Sequence, residues 1–275
     1  MKVKTVTRTH MEPKTVRVLS LGAGVQSSAL AFLFEHGKLE NPPEFAIFAD
    51  TQREPRKVYK YLKYLQKEIK SFPIYVTTKG DLGEHPGAIP CFLKSGKDVG
   101  MGRRSCTSRF KIKAVHAEIR KMLGYKYRQR WKHHVEMILG ISADEENRRR
   151  NAQDKWQTNR YPLLDELRLD RAQCLNFIKK LKQPLPARSA CYFCPYKKDK
   201  EWVEMKRNEP EEWEKACKYD DWLRSEERLA SSGYKRLEYL HRSCRPLREV
   251  VLKHEKQHPM AFSFDDACDG LMCGL

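Results

Sequence analysis

The segment that most constrains the fold runs from Val18 to Leu30. An apolar run, Val18-Leu19-Ser20-Leu21, breaks into Gly22-Ala23-Gly24-Val25-Gln26-Ser27-Ser28 and resumes as an apolar helix from Ala29. A strand, a loop of glycines and hydroxyls, and a helix start, in that order, make a cradle for phosphate. Glycines admit an anion close to the backbone, unpaired N–H groups and the helix dipole attract negative charge, and Ser20, Ser27 and Ser28 add hydroxyl donors. A serine-rich turn of this kind also serves as a plain helix N-cap, so the rest of the chain has to decide between the two.

The flanking pattern alternates strands with helices. Val16 to Leu21, Glu44 to Ala49, Ile74 to Thr77 and Val135 to Ile141 are short and β-rich, while Ser27 to His36, Pro55 to Lys70 and Lys111 to Leu123 carry helical spacing. In the second helix Val58, Tyr61, Leu62, Leu65 and Ile69 share one face. Such alternation predicts a parallel sheet with right-handed crossovers. The Ser20 to Ser28 loop and Asp50, which ends the second strand, then lie at the carboxyl edge where such sheets bind ligands. Helices are also predicted over Arg171 to Leu181 and Glu211 to Leu229, and beyond residue 185 the chain turns to Trp-, Glu- and Lys-rich helices (Trp202, Trp213, Trp222) and irregular cysteine-bearing segments. The organisation expected is a basic extension over residues 1–15, a nucleotide-binding domain over 16–185, and a helical subdomain over 186–275 that caps the sheet.

With 275 residues and 40% hydrophobic content the chain can bury a substantial core. No stretch approaches the roughly 20 apolar residues of a membrane span, and Met1 to Arg17 lacks the apolar region of a signal peptide, so a cytoplasmic protein without a membrane partner is expected. The 54 Lys and Arg against 36 Asp and Glu leave a net charge of +18, which points to a polyanionic partner. Basic runs occur at Arg103-Arg104, Lys111 to Lys113, Lys126 to Lys132, Arg148 to Arg150 and Lys197 to Lys200. Tyr125, Tyr127 and Trp131, interleaved with one of them, could stack on unpaired bases of tRNA or DNA. The other meaning of each run is a solvated helix face.

Nine cysteines in a cytoplasmic chain call for an explanation other than disulfides. Cys191-Tyr192-Phe193-Cys194-Pro195 is a C-x-x-C turn able to chelate a metal or cluster, and Cys106, Cys244, Cys268 and Cys273 are available to complete a four-thiolate set. Cys174 and Cys217 fall in helices and read as buried free thiols; Cys91 is undetermined.

Several segments in order resemble one family: Ser20 to Ser27; Phe48-Ala49-Asp50-Thr51 with Glu54; Cys106-Thr107-Ser108-Arg109-Phe110-Lys111-Ile112; Gly140-Ile141-Ser142-Ala143-Asp144-Glu145 with Arg148; Tyr161-Pro162-Leu163-Leu164; and Cys191 to Pro195. Together they are similar to the phosphoadenosine phosphosulfate (PAPS) reductase family of the PP-loop, or adenine nucleotide alpha-hydrolase-like, superfamily. The nearest flavour is its phage and mobile-element branch, whose members are similar to DNA phosphorothioation sulfurtransferases.

The resemblance implies an α/β fold with a Rossmann-like (HUP) parallel sheet, helices on both faces, and a C-terminal helical, cysteine-bearing subdomain. It implies an adenine nucleotide such as ATP, with Ser20, Gly22, Gly24, Gln26, Ser27 and Ser28 around phosphate and Asp50 and Thr51 near the adenosine. Arg109 and Lys111 would grip further phosphate or sulfate charge, and Asp144, Glu145 and Arg148 would lie near the substrate or a Mg ion. A [4Fe-4S] cluster, with zinc as the alternative, would be held by Cys106, Cys191, Cys194 and Cys273, or Cys268 in place of the last. Cys268 and Cys273 are also the catalytic thiol candidates. Two departures limit the transfer: Gln26 stands where the ATP-pyrophosphatase pattern has Asp, which weakens the case for Mg-ATP cleavage, and the tail lacks the Glu-Cys-Gly-x-His sequence of PAPS reduction. The activities implied are ATP-dependent sulfur transfer to nucleic acid, fed by a cysteine desulfurase or thioredoxin-like donor, or sulfonucleotide reduction. A nucleic-acid-binding protein that keeps the fold without catalysis is the third reading, and a homodimer is left open.

Overall fold

A computed structural model describes residues 14–126, 128–232 and 236–250. Its centre is a five-stranded parallel sheet in the order β3-β2-β1-β6-β7, with β1 at Thr15–Leu21, β2 at Phe45–Asp50, β3 at Ile74–Thr78, β6 at His134–Leu139 and β7 at Gln157–Arg160. A parallel sheet buries both faces at its centre, and β2 there is a nearly continuous apolar run, while β1 and β6 interleave polar residues and the edge strand β7, Gln-Thr-Asn-Arg, is wholly polar. β1 shows the division: Leu19 and Leu21 face one core, Val16 and Val18 the other.

The first core takes α1 (Val25–Glu35), α2 (Arg56–Glu68) and α5 (Arg171–Lys180); α2 buries Val58, Tyr61, Leu62 and Leu65, the stripe expected of it. The second takes α3 (Lys113–Met122) through Ala114, Val115 and Ile119. The Rossmann-like parallel sheet with helices on both faces is thus present. α3 is entered through a widened, π-helical turn at Thr107–Ile112, so that helical structure begins before Lys111.

A third core joins Leu82, Ile89, Cys91 and Phe110 to Phe193, Trp202, Trp213, Cys217 and Leu240. It is built on α6 (Asp199–Asn208) and α7 (Pro210–Trp222) and lies beside a small antiparallel sheet in which β4 (Phe92–Ser95) is flanked by β5 (Asp98–Met101) and β8 (Leu237–Tyr239). This helical, cysteine-bearing region therefore shares its core and its sheet with residues 82–110. Cys174 and Cys217 are fully buried, as their helical positions suggest, and so is Cys91. The helix expected over Glu211 to Leu229 is two: α7 ends at Trp222 and α8 begins at Glu226. The break is held by Arg224, whose guanidinium donates to Asp220 (2.8 Å) and Asp221 (3.2 Å), while buried Asp220 accepts the N–H groups of Leu240 and Leu247.

Tyr125 and Trp131, expected as base-stacking candidates, pack against neighbours in the fold. Trp131 lies flat on Trp156 (centroids 3.9 Å apart, 8° between planes), Tyr125 packs against Trp131, and the Arg120 guanidinium covers both rings. Tyr127 is outside the described residues, as are Cys268 and Cys273 and residues 1–13 of the basic extension. No helix among the described residues is long and apolar enough to cross a membrane.

One ion pair ties the end of β2 to the C-x-x-C turn. Arg53 forks onto both oxygens of Asp81 at 2.5 Å, donates to the Tyr192 hydroxyl at 2.6 Å, and its carbonyl accepts the Tyr192 N–H. Burial pushes the Asp81 carboxyl up, but the Arg53 fork and the Gly83 N–H outweigh it and hold Asp81 below the ordinary carboxylate range. A carboxylate lowered on folding stabilises above its unfolded value and loses that contribution as pH falls through the folded one. Arg53→Lys, which cannot fork, is expected to cost about 1–2 kcal/mol at pH 7. In denaturant titrations that difference should shrink as pH falls below the ordinary carboxylate range toward the lower value at which folded Asp81 takes up its proton; a difference that stays constant with pH would refute the role of the fork.

Candidate functional site

The strand order reverses between β1, whose neighbours β2 and β3 run to one side, and β6, which leads to β7 on the other. Such a switch point opens a crevice at the carboxyl edge, and here a cavity of about 520 Å³ occupies it, enough for a nucleotide-sized ligand. Its walls are the Gly22 to Ser27 loop, the ends of β2 and β6, and the inner face of α3.

The loop is held by its own serine. The Gly22 N–H donates to Ser27 Oγ (3.2 Å), which donates in turn to the Gly24 carbonyl (3.4 Å). Gly24 caps α1 with no side chain, and the first turn holds no acidic residue, so the helix N-terminus faces the cavity without a competing anion. The left-handed residue of the turn is Ala23, at φ 53°, rather than either glycine. The glycines serve space instead: beside Gly24 a Cβ would meet Ser189 at 3.5 Å, and beside Gly22 only serine hydroxyls at 3.8 Å. Gly140, at the end of β6, is the tight position. A Cβ there would stand 2.9 Å from the Ser27 nitrogen and 3.1 Å from the Gln26 carbonyl carbon, so strand backbone supports the loop directly. Gln26 reaches across to the buried Ser142 hydroxyl at 3.4 Å.

The cavity has an apolar floor from Phe48, Val115, Met137, Leu139 and Ile141 and a cationic rim from Lys111, Arg148, Arg150, Arg171 and Arg188. Glu145 and Asp154 are the carboxylates of its lining, and Glu145 is ion-paired to Arg148. Burial pushes the Glu145 carboxyl up, with Arg148 opposing. Cations in excess, around free helix N–H groups, suit a ligand carrying several negative charges.

Next to the rim sits a half-buried thiol. Cys191 Sγ is 3.4 Å from Thr51 Oγ1, and Thr51 donates to Glu54 Oε1. Lys111 Nζ reaches the same oxygen at 3.2 Å, while Glu54 Oε2 is buried without a partner. Glu54 raises the pKa of Lys111 against the effect of burial, and burial pushes the Cys191 thiol up to about 12, with Lys111 opposing. Cys106 packs on the same core and acts electrostatically on both Cys191 and Lys111; Cys194 closes the C-x-x-C turn, its N–H donating to the Cys191 carbonyl at 3.0 Å. In kind these thiols fit a soft metal centre. Among the described residues no three His, Cys, Asp or Glu side chains come close enough to hold a single metal ion; a cluster spaces its ligands more widely, and Cys268 and Cys273 lie outside those residues.

Of the other expected site residues, Ser20 lines the cavity. Ser28 is fully buried against Tyr61 of α2 and is not among the cavity's lining residues. Asp50 accepts from the Tyr59 hydroxyl and the Gln52 N–H, both at 2.7 Å, and Thr51 belongs to the thiol cluster rather than to the cavity wall. Arg109 lies over the Phe110 ring and opens on a separate shallow cleft with His85 and Trp222. Asp144 caps α5 through the Arg171 N–H at 3.0 Å. Arg171, Arg188 and Ser189 also line the cavity although no motif marks them as ligand-binding; the signal for Arg188 and Ser189 is their place just ahead of Ala190 and the C-x-x-C turn.

No protein-family model matches this chain, and no curated protein matches it. Among solved structures, one that matches is phosphoadenylyl-sulfate (PAPS) reductase from Candida auris in its phosphate complex. The identity is 16% and the TM-score 0.39, over 63% of this chain and 75% of that one.

Proposed function

We propose that this chain is a PAPS-reductase-like enzyme that binds an adenine nucleotide and carries out sulfur chemistry, in its leading form ATP-dependent sulfur transfer to tRNA or DNA. The observation that carries the reading is adjacency: the Cys191 thiol touches the Lys111–Glu54 pair through Thr51, and Lys111 lines the cavity into which the phosphate loop opens. In this reading an oxygen of the nucleic acid attacks the α-phosphorus of ATP, pyrophosphate leaves toward the loop, and the outer sulfur of a cysteine persulfide displaces AMP; a second cysteine thiolate then attacks the persulfide's inner sulfur, releasing the thiolated nucleic acid and leaving a disulfide that the thioredoxin-like donor reduces. The loop N–H groups and the rim arginines offset the charge of the leaving pyrophosphate, and a Mg ion would accompany the nucleotide. Cys106, Cys191, Cys194 and Cys273, or Cys268 in its place, would hold a [4Fe-4S] cluster, which when bound supplies sulfide or redox chemistry beside the loop; zinc there would be structural.

The test is transfer of radiolabelled sulfur from cysteine, by way of a desulfurase, to tRNA or DNA, using anaerobically purified protein assayed for iron, zinc and sulfide. Labelling that needs ATP and is lost in the Cys191→Ser, Cys194→Ser double variant, while ATP binding is kept, is the expected result. Labelling that persists in that variant would sink the reading. The cationic rim favours one alternative, a sulfonucleotide reductase. Its sign would be sulfite released from PAPS with thioredoxin, abolished by Cys268→Ser or Cys273→Ser.

A further inference from the structure

Three of the six large apolar side chains that are exposed among the described residues lie together: Val99 (59% exposed), Met101 (39%) and Leu237 (38%). Strand pairing explains why. In the β5-β4-β8 sheet Phe92 stands between Met101 and Tyr239, and Lys94 between Val99 and Leu237. Paired residues, and residues two apart on a strand, point to the same side of a sheet, so these six form one face. The opposite face carries Leu93 and Glu238, and Glu238 is buried there against Arg228 (3.2 Å). By the same alternation the acidic Asp98 of the β4–β5 hairpin belongs to that buried side, which leaves Lys94 as the charge of the open one. Arg224 covers the Tyr239 ring, 4.6 Å from its centroid; Val99, Met101 and Leu237 stay open. So concentrated an apolar patch on so small a sheet marks a contact surface.

We propose that the occupant of this face is the chain's own segment 260–264, Met-Ala-Phe-Ser-Phe, with Met260, Phe262 and Phe264 laid against Phe92, Val99, Met101 and Leu237. The segment lies outside the described residues, and its sequence alternates large apolar with small residues, the period of a strand with one apolar side. Its length fits: extended, it runs about 13 Å, and three strands about 4.8 Å apart make a face about 10 Å across. It is also within reach. Leu247 is anchored in the third core and Lys94 acts electrostatically on Cys244, so the described chain ends close to β4. Residues 251–259 then span up to about 30 Å. Charge agrees. From Gln257 to Leu275 the sequence holds Asp265, Asp266 and Asp269 and no Lys or Arg, in a chain of net charge +18, while Lys94, Lys97 and Arg103 stand on or next to the β4–β5 hairpin. A second copy would bring another +18 chain and another Lys94 to the same face, and nucleic acid would bring phosphate to its aliphatic centre.

Photo-crosslinking of the full chain tests this docking. The photoreactive residue p-benzoylphenylalanine replaces Phe262, and an equal mixture of isotopically light and heavy chains is irradiated and mapped by mass spectrometry. The dominant cross-link should join position 262 to residues 92–101 or 237–239 of the same chain. Val99→Asp should lower its yield about fivefold, because it removes an aliphatic contact and sets a carboxylate under the docked segment. Val76→Asp, a change at a comparably open valine (48% exposed) on β3, should leave the yield unchanged. A dominant cross-link to any other part of the chain, one that joins light to heavy chains, or none at all overturns the proposal. Those outcomes are read on the unaltered sheet, so they do not depend on the Val99→Asp chain folding. A yield that Val99→Asp leaves unchanged in a folded chain overturns it as well.

Discussion

Gly140→Ala is expected to weaken nucleotide binding roughly ten- to hundredfold in a protein that still folds. The added methyl would sit 2.9 Å from the Ser27 nitrogen and 3.1 Å from two neighbouring backbone atoms, Gln26 C and Ser27 Cα, none of which can swing aside as a side-chain tip could. Either β6 or the first turn of α1 must move. β6 is clamped between β1 and β7, with Leu139 paired to Ser20, whereas the loop is tied down chiefly by the Ser27 hydroxyl and the long Gln26–Ser142 contact. The loop therefore gives way, and the N–H groups that would face phosphate lose their alignment. Overpacking of this size costs about 1–3 kcal/mol, and each 1.4 kcal/mol taken from binding is about tenfold. Gly22→Ala is the informative contrast, since its methyl meets only serine hydroxyls at 3.8 Å. It should leave the melting temperature nearly unchanged and weaken binding only by crowding the ligand. Titration of both variants with ATP, alongside thermal melts, checks the pair; equal affinities for Gly140→Ala and wild type would show that the loop is not the binding element.

That glycine shows where legibility in the sequence stopped. Gly22 and Gly24 stand in a run that announces a phosphate loop, yet neither has a positive φ or a forbidding neighbour. The glycine with the tightest backbone contact, Gly140, sits more than a hundred residues away in a plain strand end. Strands and helices near the loop were legible because each is a local pattern: β2 is a nearly continuous apolar run, β1 is rich in Val and Leu, and α2 has a clean stripe. The β4-β5-β8 sheet was not, because Phe-Leu-Lys-Ser and Asp-Val-Gly-Met carry no alternation and β8 pairs with β4 across more than a hundred residues. The site was legible to the same degree. The loop and Lys111 lie together as expected, whereas Ser28 and Arg109 point into other surroundings, since a motif fixes neighbours in the chain and not the face each side chain takes. Trp131 and Tyr125 show the same limit: alternation with basic residues looks alike whether the rings meet a base or meet Trp156 and Arg120.

Lys111→Met is expected to cost about 3 kcal/mol of stability and to be largely rescued by Glu54→Gln in the same chain. Glu54 has no exposed side-chain surface, one of its oxygens has no partner, and the other depends on Lys111 and on a long contact from Thr51. Removing the lysine strands a buried carboxylate, and a broken buried pair costs about 3–5 kcal/mol. The low end applies because Lys111 is open to the cavity on one side, where solvent screens it. Gln at position 54 takes the charge away and keeps an acceptor for Thr51, so the double variant should recover most of the loss. A double-mutant cycle by chemical denaturation reads this as a coupling of more than about 1 kcal/mol; independent effects would mean that the pair does not hold the thiol cluster together. The rescue should stop at stability. Lys111 is the cation that stands both in the cavity wall and against the Cys191 environment, and the double variant supplies no replacement for it. A protein that melts like wild type yet binds ATP weakly would separate the two demands on this lysine, since a ligand phosphate and the buried Glu54 draw on the same ammonium group.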